Sequence, residues 1–436
     1  MTRRNRRAPF ARLSWEGRGD VNPTPTPPEV WSLADIHGSG TQEPHNRLIQ
    51  GDNLGVMAAL LPELEGKIDL IYVDPPFLSG KAYEARIGRG EDSRQPDTWE
   101  TTRGYADTWR DGGQYLNMLY PRLVLMHRML SDQGSLYLHL DWHASAYARV
   151  LLDEIFGPDR LLNEIVWTYH GPSPIRSAFN RKHDTILLYT KSRNYTFNVD
   201  DVRIPYDEST VKTFASSKKA GFGKQPDLER GKVPEDWWYF PVVARLHNER
   251  TGYPTQKPEA LIERIVRASS NPGDLVADFF SGSGTTAVVA GRLDRRWIAC
   301  DPTPLASLTA YRRLLLDESS SLFTWEVAPR AVPQPELDIE ARTRRSDQGL
   351  VCELVRVTKK KGAESRFPED VVLWEVGETT PHSPFHSRAR SVRSFRSHDI
   401  ALHIKLREGK YTGVKLAVRA FDTHGRHGVC DVQLHP

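Results

Sequence analysis

The apolar positions between residues 45 and 325 follow two alternating periods, and this alternation predicts an α/β fold. Short β-branched runs predict strands, whereas longer stretches repeat apolar residues at helical spacing. The predicted strands are NRLIQ (46–50), IDLIYVD (68–74), GSLYLHLD (134–141), NEIVWTY (163–169), DTILLYT (184–190), LVADFF (275–280) and WIACD (297–301). The helices between them complete two β-α-β units, which predict a mostly parallel sheet. The runs at 163–169 and 184–190 predict an antiparallel hairpin at the sheet edge.

Other segments depart from this pattern. Residues 1–44 lack apolar periodicity, begin with several arginines and carry a Pro-Thr run, so they predict a basic, extended and poorly packed arm. Residues 78–113 are rich in Gly, Arg, Asp and Ser and predict a mobile loop inserted beside the site. Residues 326–436 consist of short alternating segments separated by turns, which predict a small all-β domain resembling a sandwich.

Periodicity also fades over residues 191–254, a second insert. Trp237 and Trp238 stand there with Tyr239 and Phe240 among Lys and Arg residues. This insert is either a nucleic-acid-reading segment with stacking aromatic rings or a satellite core beneath a long loop. Both interpretations remain open at this point.

Composition excludes several classes of protein. The 436 residues are 39% hydrophobic and 26% charged, as in globular proteins. We expect no membrane span, because no segment approaches about 18 uninterrupted apolar residues. The basic start lacks the apolar stretch of a secretory signal, and the 3 cysteines are widely separated, so we expect a cytoplasmic protein without disulfides or a metal site. The net charge of +3 means that any nucleic-acid surface is local.

The strand 68–74 ends at Asp74-Pro75-Pro76-Phe77, which combines a carboxylate, carbonyl groups without neighbouring amide hydrogens, and an aromatic ring. An aromatic amino group is a poor nucleophile because its lone pair is delocalised into the ring. Hydrogen bonds from that amine to Asp74 and to the Pro75 carbonyl would favour a pyramidal, nucleophilic nitrogen, and Phe77 could stack on the base. An ordinary strand-ending turn is the alternative explanation.

A glycine-rich turn, SGSG, follows the strand that ends near Asp278. Gly282 and Gly284 allow a ligand to approach the backbone closely at a helix N-terminus. Asp301 ends the next strand, where a carboxylate accepts hydrogen bonds from ribose hydroxyls in many nucleotide sites. The turn has neither the three-glycine pyrophosphate fingerprint nor the Lys of a P-loop, so hydride transfer and phosphoryl transfer are disfavoured.

Together, DPPF at 74–77 and DFFSGSG at 278–284 resemble the motifs of the DNA amino-methyltransferases that use S-adenosylmethionine. The catalytic motif precedes the cofactor motif, which is the permuted order of the β group, including type III modification subunits and adenine-specific DNA methylases. The resemblance extends through NRLIQGDNL, YLNMLYPRLVLMHRML, LLDEIFG, YPTQKPEALIERIV and WIACD and covers residues 45–305. It implies a Rossmann-like permuted methyltransferase domain over 45–325, with 191–254 as the candidate target-recognition region.

The resemblance also implies roles for individual residues. The residues at the target amine would be Asp74, Pro75, Pro76 and Phe77. The methionine part of the cofactor would be held by Asp278, Phe280, Gly282 and Gly284, the ribose by Asp301 and the adenine by Asp52, with Thr285 and Lys257 nearby. A helix cap, a solvated lysine and a turn after a strand are the alternative roles of Thr285, Lys257 and Asp52, respectively.

The expected reaction is methylation of the N6 amine of a flipped adenine in double-stranded DNA, without a metal. Within the family, Asp rather than Ser at position 74 favours adenine, and cytosine N4 methylation is the alternative. Phe77 departs from the Tyr of many relatives, and Leu78-Ser79-Gly80 replaces their Asn-Thr-Gly-like segment. A catalytically silent DNA-binding scaffold is the non-enzymatic alternative. A restriction or other partner subunit, a homodimer and the role of the C-terminal domain are left open.

Overall fold

The computed structural model describes residues 11–34, 46–88, 99–172, 174–216, 227–244, 247–317, 322–332, 334–346, 349–360, 366–379, 384–397, 399–406 and 415–432. The strands are β1 (Glu29–Ala34), β2 (Asn46–Gln50), β3 (Ile68–Val73), β4 (Lys81–Gly88), β5 (Trp99–Asp107), β6 (Leu130–Leu140), β7 (Leu161–Thr168), β8 (His183–Thr190), β9 (Trp237–Tyr239), β10 (Leu275–Asp278), β11 (Arg296–Asp301), β12 (Phe323–Val327), β13 (Leu337–Ser346), β14 (Gly349–Lys359), β15 (Val371–Glu378), β16 (Phe385–Val392), β17 (His403–Leu406), β18 (Leu416–Asp422) and β19 (His427–Val432). The α-helices are α1 (Asn53–Leu64), α2 (Gly112–Met129), α3 (Ser145–Phe156), α4 (Glu208–Ser216), α5 (Glu259–Ser269), α6 (Thr285–Arg292) and α7 (Pro304–Leu316).

The central sheet contains a run of parallel strands. Its order is β12-β2-β11-β10-β3-β6-β8-β7-β9, and every neighbouring pair from β12 to β6 is parallel. β8 is antiparallel to both β6 and β7, as predicted for the hairpin. The hairpin is not the outermost element, however, because β9 pairs with β7 in parallel and forms the edge. The prediction of a mostly parallel α/β sheet is confirmed.

Both faces of the parallel strands are buried beneath helices. On β3, Ile71 and Val73 belong to one core with α1, α2 and α3, whereas Leu70 and Tyr72 belong to a second core with α5, α6 and α7. Alternate side chains of a strand point to opposite faces, so a strand covered on both sides must be apolar throughout. This three-layer arrangement explains why the run IDLIYV has no polar face.

The predicted N-terminal arm is wrong over residues 29–34. These residues form β1, which pairs antiparallel with β12 and parallel with β16. Trp31 packs edge-on against Trp325 with a ring distance of 4.7 Å, and Ser32 is fully buried. The segment was missed because it is short and follows a Pro-Thr run, whereas its burial depends on partners nearly 300 residues away. Residues 1–10, which hold the basic start, lie outside the described residues.

The C-terminal part is all-β, as predicted, but it is not separate from the sheet that contains the parallel strands. Strands β16, β15, β18 and β19 extend the main sheet through β1, giving fourteen strands in total. The second sheet, β13-β14-β17, packs on this extension around an apolar core, so the packing resembles a sandwich. A buried ion pair between Arg419 and Glu375 joins the two regions, because Arg419 also donates to Ser32 at 2.7 Å and Glu375 accepts from Tyr311 of α7 at 3.1 Å.

The insert 78–113 is more ordered than its composition suggests. β4 and β5 pair antiparallel from Lys81↔Asp107 to Gly88↔Trp99, and residues 89–98 between them lie outside the described segments. Ala85 and Ile87 are 1% and 4% exposed. The prediction of a mobile loop is therefore wrong for these strands, because a few apolar positions at alternate places suffice to seat a hairpin.

In the insert 191–254, the aromatic residues divide between the two interpretations. Trp238 is 8% exposed and belongs to the second core, while Trp237 and Tyr239 are 61% and 51% exposed. This division follows from the two-residue period of β9. The lysines at 218 and 219 lie outside the described residues. No helix in the described segments is both long and apolar enough to span a membrane.

Candidate catalytic site

A cavity of about 600 Å³ lies at the edge where the parallel strands end. Because β3, β10 and β11 are adjacent and parallel, Asp74, Asp278 and Asp301 follow or end neighbouring strands at the same edge. This is where α/β sheets place their ligands, and the volume suits a small-molecule cofactor. The cavity is lined by the predicted residues Asp52, Asp74, Pro76, Lys257, Asp278, Phe280, Gly282, Thr285 and Asp301. Pro75, Phe77 and Gly284 do not line it.

Asp74 forms an ion pair with Lys257. The Lys257 ammonium donates to Asp74 Oδ2 and also to the carbonyl of Thr255 at 3.3 Å. The other carboxylate oxygen, Asp74 Oδ1, is buried and accepts no hydrogen bond from the described residues. A buried acceptor without a donor is unfavourable. Asp74 Oδ1 is therefore available to accept a hydrogen bond from a ligand in the cavity.

The Phe77 ring is held beside the ion pair. It stacks on the His139 ring at 5.9 Å and 25°, and the Lys257 ammonium lies 5.4 Å from its centroid. His139 is fully buried and hydrogen-bonds to the Tyr72 hydroxyl at 2.9 Å and to Asp184 at 3.3 Å. Burial alone would raise the pKa of Asp184, but hydrogen bonding and charge interaction with His139 lower it. This network fixes one face of Phe77.

Asp107, at the end of β5, holds the turn that follows the catalytic motif. Its Oδ2 accepts from the backbone N–H groups of Phe77 and Ser79 at 3.0 and 2.8 Å. Its Oδ1 accepts from the N–H of Leu78 at 2.9 Å and from the Trp109 indole at 2.7 Å. Leu78 has a φ of 65°, which non-glycine residues rarely adopt. The carboxylate therefore stabilises a strained turn through three hydrogen bonds and joins it to Trp109 through a fourth.

Asp278 lies at the base of the glycine-rich turn and is 4% exposed. Its oxygens accept from the Phe280 N–H at 3.0 Å and from the Thr286 hydroxyl at 2.6 Å. Burial raises the pKa of Asp278 to about 7, although these hydrogen bonds oppose the shift. A carboxyl group with this pKa gains a large electrostatic advantage from a cation placed beside it. Asp278 is therefore suited to a positively charged ligand.

Asp301 supports the same turn from the end of β11. Its Oδ2 accepts from the Gly282 N–H at 3.0 Å, and its Oδ1 accepts from the Thr303 N–H and hydroxyl at 2.9 and 2.8 Å. Burial raises the pKa of Asp301. Gly282 has a φ of 47°, and a Cβ there would lie 3.2 Å from the Tyr253 ring. Asp301 and Tyr253 both line the cavity.

Asp52 follows β2 at the opposite wall. Its side chain is 65% exposed and forms an ion pair with Arg122 at 2.6 Å. Arg122 also binds Asn53 at 2.5 Å, and Asn53 in turn donates to the Phe279 carbonyl at 2.5 Å. The Asp52 carboxylate is therefore held by Arg122, and it makes no capping hydrogen bond to the start of α1.

Thr285 and Gly284 contribute to the packing of the turn. The Thr285 hydroxyl donates to the Lys257 carbonyl at 3.3 Å and accepts from Arg313 at 2.8 Å, so it joins the turn to the segment that carries Lys257. Gly284 has a φ of 77°, and a Cβ there would lie 2.7 Å from the Ala310 Cβ on α7. A glycine is required at position 284 because α7 approaches so closely. Gly284 does not line the cavity.

Several residues of the site were not found from the sequence. Asp107 stands in a segment without a recognisable motif, whereas Arg122 lies in the matching segment YLNMLYPRLVLMHRML but was assigned no role, and the partners of both residues are distant along the chain. His424, in the turn between β18 and β19, also lines the cavity and brings the C-terminal part to the site. For Asp107, the sequence shows only one acidic residue at the end of a polar segment, and this signal is too weak to identify a carboxylate that binds a turn. For His424, the sequence offers no signal.

Comparisons with known proteins point to one family. A family model described as DNA methylase matches residues 68–305, which is more than half of the chain. The DNA adenine methyltransferase YhdJ of Escherichia coli (strain K12) is 30% identical over 258 residues, covering 58% of this chain and 77% of that protein. The type II methyltransferase M1.MboII of Moraxella bovis is 32% identical over 256 residues, covering 55% and 87%. The solved structure of the PvuII DNA methyltransferase, which is cytosine-N4-specific, is similar over 64% of this chain and 94% of that chain. The sequence identity is 18% and the TM-score is 0.40.

Proposed function

Because the chain belongs to the DNA methylase family, we propose that it transfers a methyl group from S-adenosylmethionine to the exocyclic N6 of a flipped adenine in double-stranded DNA. The observation that carries this proposal is Asp74 Oδ1, a buried acceptor that receives no hydrogen bond from the described residues at the edge of the cavity. An exocyclic amine supplies the missing donor.

The residues around the cavity suit S-adenosylmethionine. Asp278 is a buried carboxyl group whose pKa burial raises, so a cationic ligand beside it relieves an unfavourable environment. Ser281 lines the cavity, and its buried hydroxyl has no hydrogen-bond partner in the described segments. Asp301 and Asp52 offer carboxylate oxygens on two sides. When bound, S-adenosylmethionine would supply a methyl group on a sulfonium, from which a neutral thioether is a good leaving group.

The protein's own contribution is to bind and orient the amine. Asp74 Oδ1 and the Pro75 carbonyl accept hydrogen bonds from the amine hydrogens, which favours a nucleophilic nitrogen. Lys257 forms an ion pair with Asp74 and fixes its other oxygen. Asp74 serves as a hydrogen-bond acceptor and need not act as a strong base. Phe77, supported by His139, offers a stacking surface for the base.

The choice of adenine rests on Asp at position 74, where the resemblance associates Ser with cytosine N4. The Asp74 and Phe77 side chains suit either amine, so cytosine N4 is the competing product. Residues 191–254 remain the proposed target-recognition region, with Trp237 and Tyr239 exposed on β9. A restriction or partner subunit and a homodimer stay predictions.

The test is incubation of the protein with DNA and a donor that carries a labelled methyl group, followed by hydrolysis and identification of the labelled nucleoside. We expect N6-methyladenosine in its deoxy form. Asp74→Ala should abolish labelling while calorimetry shows unchanged S-adenosylmethionine binding. Labelled N4-methylcytosine would replace the proposed base, and full activity of Asp74→Ala would overturn the role of Asp74. A wild-type protein that binds DNA and labels none would support the silent scaffold.

A further inference from the structure

The loop between β7 and β8 lies at the same sheet edge as the turn at residues 77–79, which we call the catalytic turn. β7 runs in the same direction as β3 and β6, because it is antiparallel to β8 and β8 is antiparallel to β6. The carboxyl end of β7 and the loop after it, residues 169–182, therefore lie at the sheet edge that carries Asp74. None of the described residues of this loop, 169–172 and 174–182, lines the cavity.

Internal hydrogen bonds give the loop a defined shape. The Asn180 side chain accepts from the Ile175 N–H at 3.1 Å and donates to the Ile175 carbonyl at 3.3 Å. Lys182 donates to the Pro172 carbonyl at 2.5 Å. The guanidinium of Arg181 lies 4.2 Å from the centre of the Trp142 ring, which anchors the loop to the segment after β6.

Phe179, at the tip of this loop, is 98% exposed. A single exposed apolar residue needs no explanation, but Phe179 is part of a group. Trp142, Tyr147 and Tyr239 are exposed by 49%, 51% and 51%, and each stands at or just after the carboxyl end of β6 or β9. Four exposed rings at one sheet edge are expected where the partner is itself aromatic.

The charge of the loop identifies that partner as a polyanion. Residues 170–183 contain Arg176, Arg181 and Lys182 and no acidic residue, although the whole chain has nearly equal numbers of acids and bases. Arg176, three residues before Phe179, is also exposed. Exposed cations bind phosphates and exposed rings bind bases, so the combination suits duplex DNA.

We propose that Phe179 enters the base stack when the target adenine leaves it and occupies the vacated space as a wedge. This inference rests on the proposed function, because a wedge is needed only by an enzyme that flips its base. Flipping is opposed by the loss of stacking and pairing, and apolar side chains inserted between base steps offset that loss. The braced loop presents the ring without having to order it on binding.

The experiment uses synthetic duplexes that carry the target site, first mapped by sequencing plasmid DNA modified by the wild-type protein. One duplex is fully paired, and a second places an abasic site opposite the target adenine, which removes the pairing partner. A third carries 2-aminopurine at the target position, because its fluorescence rises when the base unstacks. The proteins are the wild type, Phe179→Ala, Phe179→Leu and the control Leu316→Ala. Leu316 is 40% exposed and ends α7, whose first residue, Pro304, lines the cavity, so Leu316 lies at the far end of that helix.

We expect Phe179→Ala to lose about tenfold to a hundredfold in kcat/KM on the paired duplex, and to lose its fluorescence rise, because the flipped state is no longer stabilised by an inserted side chain. Activity should return to within about threefold of wild type on the abasic duplex, where little pairing is lost. Phe179→Leu should retain most activity, since leucine also serves as a wedge. Leu316→Ala should behave as wild type, and all four proteins should bind S-adenosylmethionine equally by calorimetry.

Two failures are distinguishable. A wild-type protein that methylates neither duplex overturns the proposed function. An active wild type whose Phe179→Ala variant has the same kcat/KM, or an equal loss on both duplexes, overturns the wedge and leaves the proposed function intact.

Discussion

Asp107→Asn tests whether the shape of the catalytic turn depends on one buried carboxylate. The side chain is 1% exposed and accepts four hydrogen bonds, two at each oxygen. Asparagine has nearly the same shape, but one of its two terminal atoms is a donor. Whichever way the amide turns, two N–H groups of the protein then face an N–H₂ group and lose their acceptor.

The size of the effect follows from these lost hydrogen bonds. A hydrogen bond to a charged group contributes roughly 1.5–3 kcal/mol, so two of them amount to about 3–6 kcal/mol. Part of this is lost as stability of the fold, and part is recovered as the turn relaxes. If about 3 kcal/mol appears in the transition state because Asp74 and Phe77 are no longer held in place, the methylation rate falls by about 150-fold.

The assay is single-turnover methylation at saturating S-adenosylmethionine and DNA, with the folded fraction measured on the same sample. Binding of S-adenosylmethionine should change by less than about threefold, because Asp107 does not line the cavity. Asp111→Asn is the matched control: Asp111 is four residues away and caps α2 by accepting from the Gln114 N–H at 2.8 Å, and asparagine caps helices equally well. A folded Asp107→Asn protein that retains at least half of the wild-type rate would refute the reasoning.

Three further predictions concern stability. Burial raises the pKa of Asp278 to about 7, above its ordinary 3.8, so the folded state binds more protons than the unfolded state between these values and loses stability as pH rises through them. Asp278→Asn should remove this loss, which is worth roughly 4 kcal/mol. In urea unfolding from pH 4 to 8, the difference in free energy of unfolding between the variant and the wild type should change with rising pH in favour of the variant and then level off. A difference that stays constant would contradict the raised pKa of Asp278. Gly284→Ala should lower the free energy of unfolding by about 2–4 kcal/mol, because position 284 has a positive φ and lies in close contact with α7. The control Gly273→Ala, at a φ of 86° with open space around it, should show only the backbone cost of about 1 kcal/mol. Equal losses in the two variants would exclude a contribution from the helix contact. Glu375→Gln should destabilise the whole chain by about 3 kcal/mol in calorimetry, because it leaves the buried Arg419 without its counter-ion, and a melting transition confined to the C-terminal part would contradict a shared fold.

The sequence was most informative where a local pattern reflects a local environment. Strand β3 was predicted because a strand buried on both faces must be apolar, and the helices between the strands were predicted from apolar residues that recur at helical spacing. The two motifs at 74–77 and 278–284, with the resemblance that they carry, led to a DNA methyltransferase, and the family match confirms this prediction. The cavity then placed nine of the predicted residues around one space.

The prediction was poorer where a residue depends on a partner far along the chain. Glu29–Ala34 is a strand only because β12 and β16 lie on either side of it, and the hairpin at 81–107 is ordered by a few buried positions in a polar segment. Composition describes the average of a segment, whereas order is decided by the particular residues that find a neighbour. The C-terminal part was expected as a separate domain for the same reason.

The sequence by itself determined the order of the strands and helices in the two β-α-β units, the α/β class and the chemistry that ends β3 and β10. The tertiary structure decided which groups meet. It paired Lys257 with Asp74, from 183 positions away, and left the other Asp74 oxygen without a donor among the described residues. It also brought Asp107 beneath the turn and exposed Phe179 beside it. Periodicity specifies the face on which a side chain lies, but the neighbour across that face is set by sheet register and loop path, which no local pattern contains.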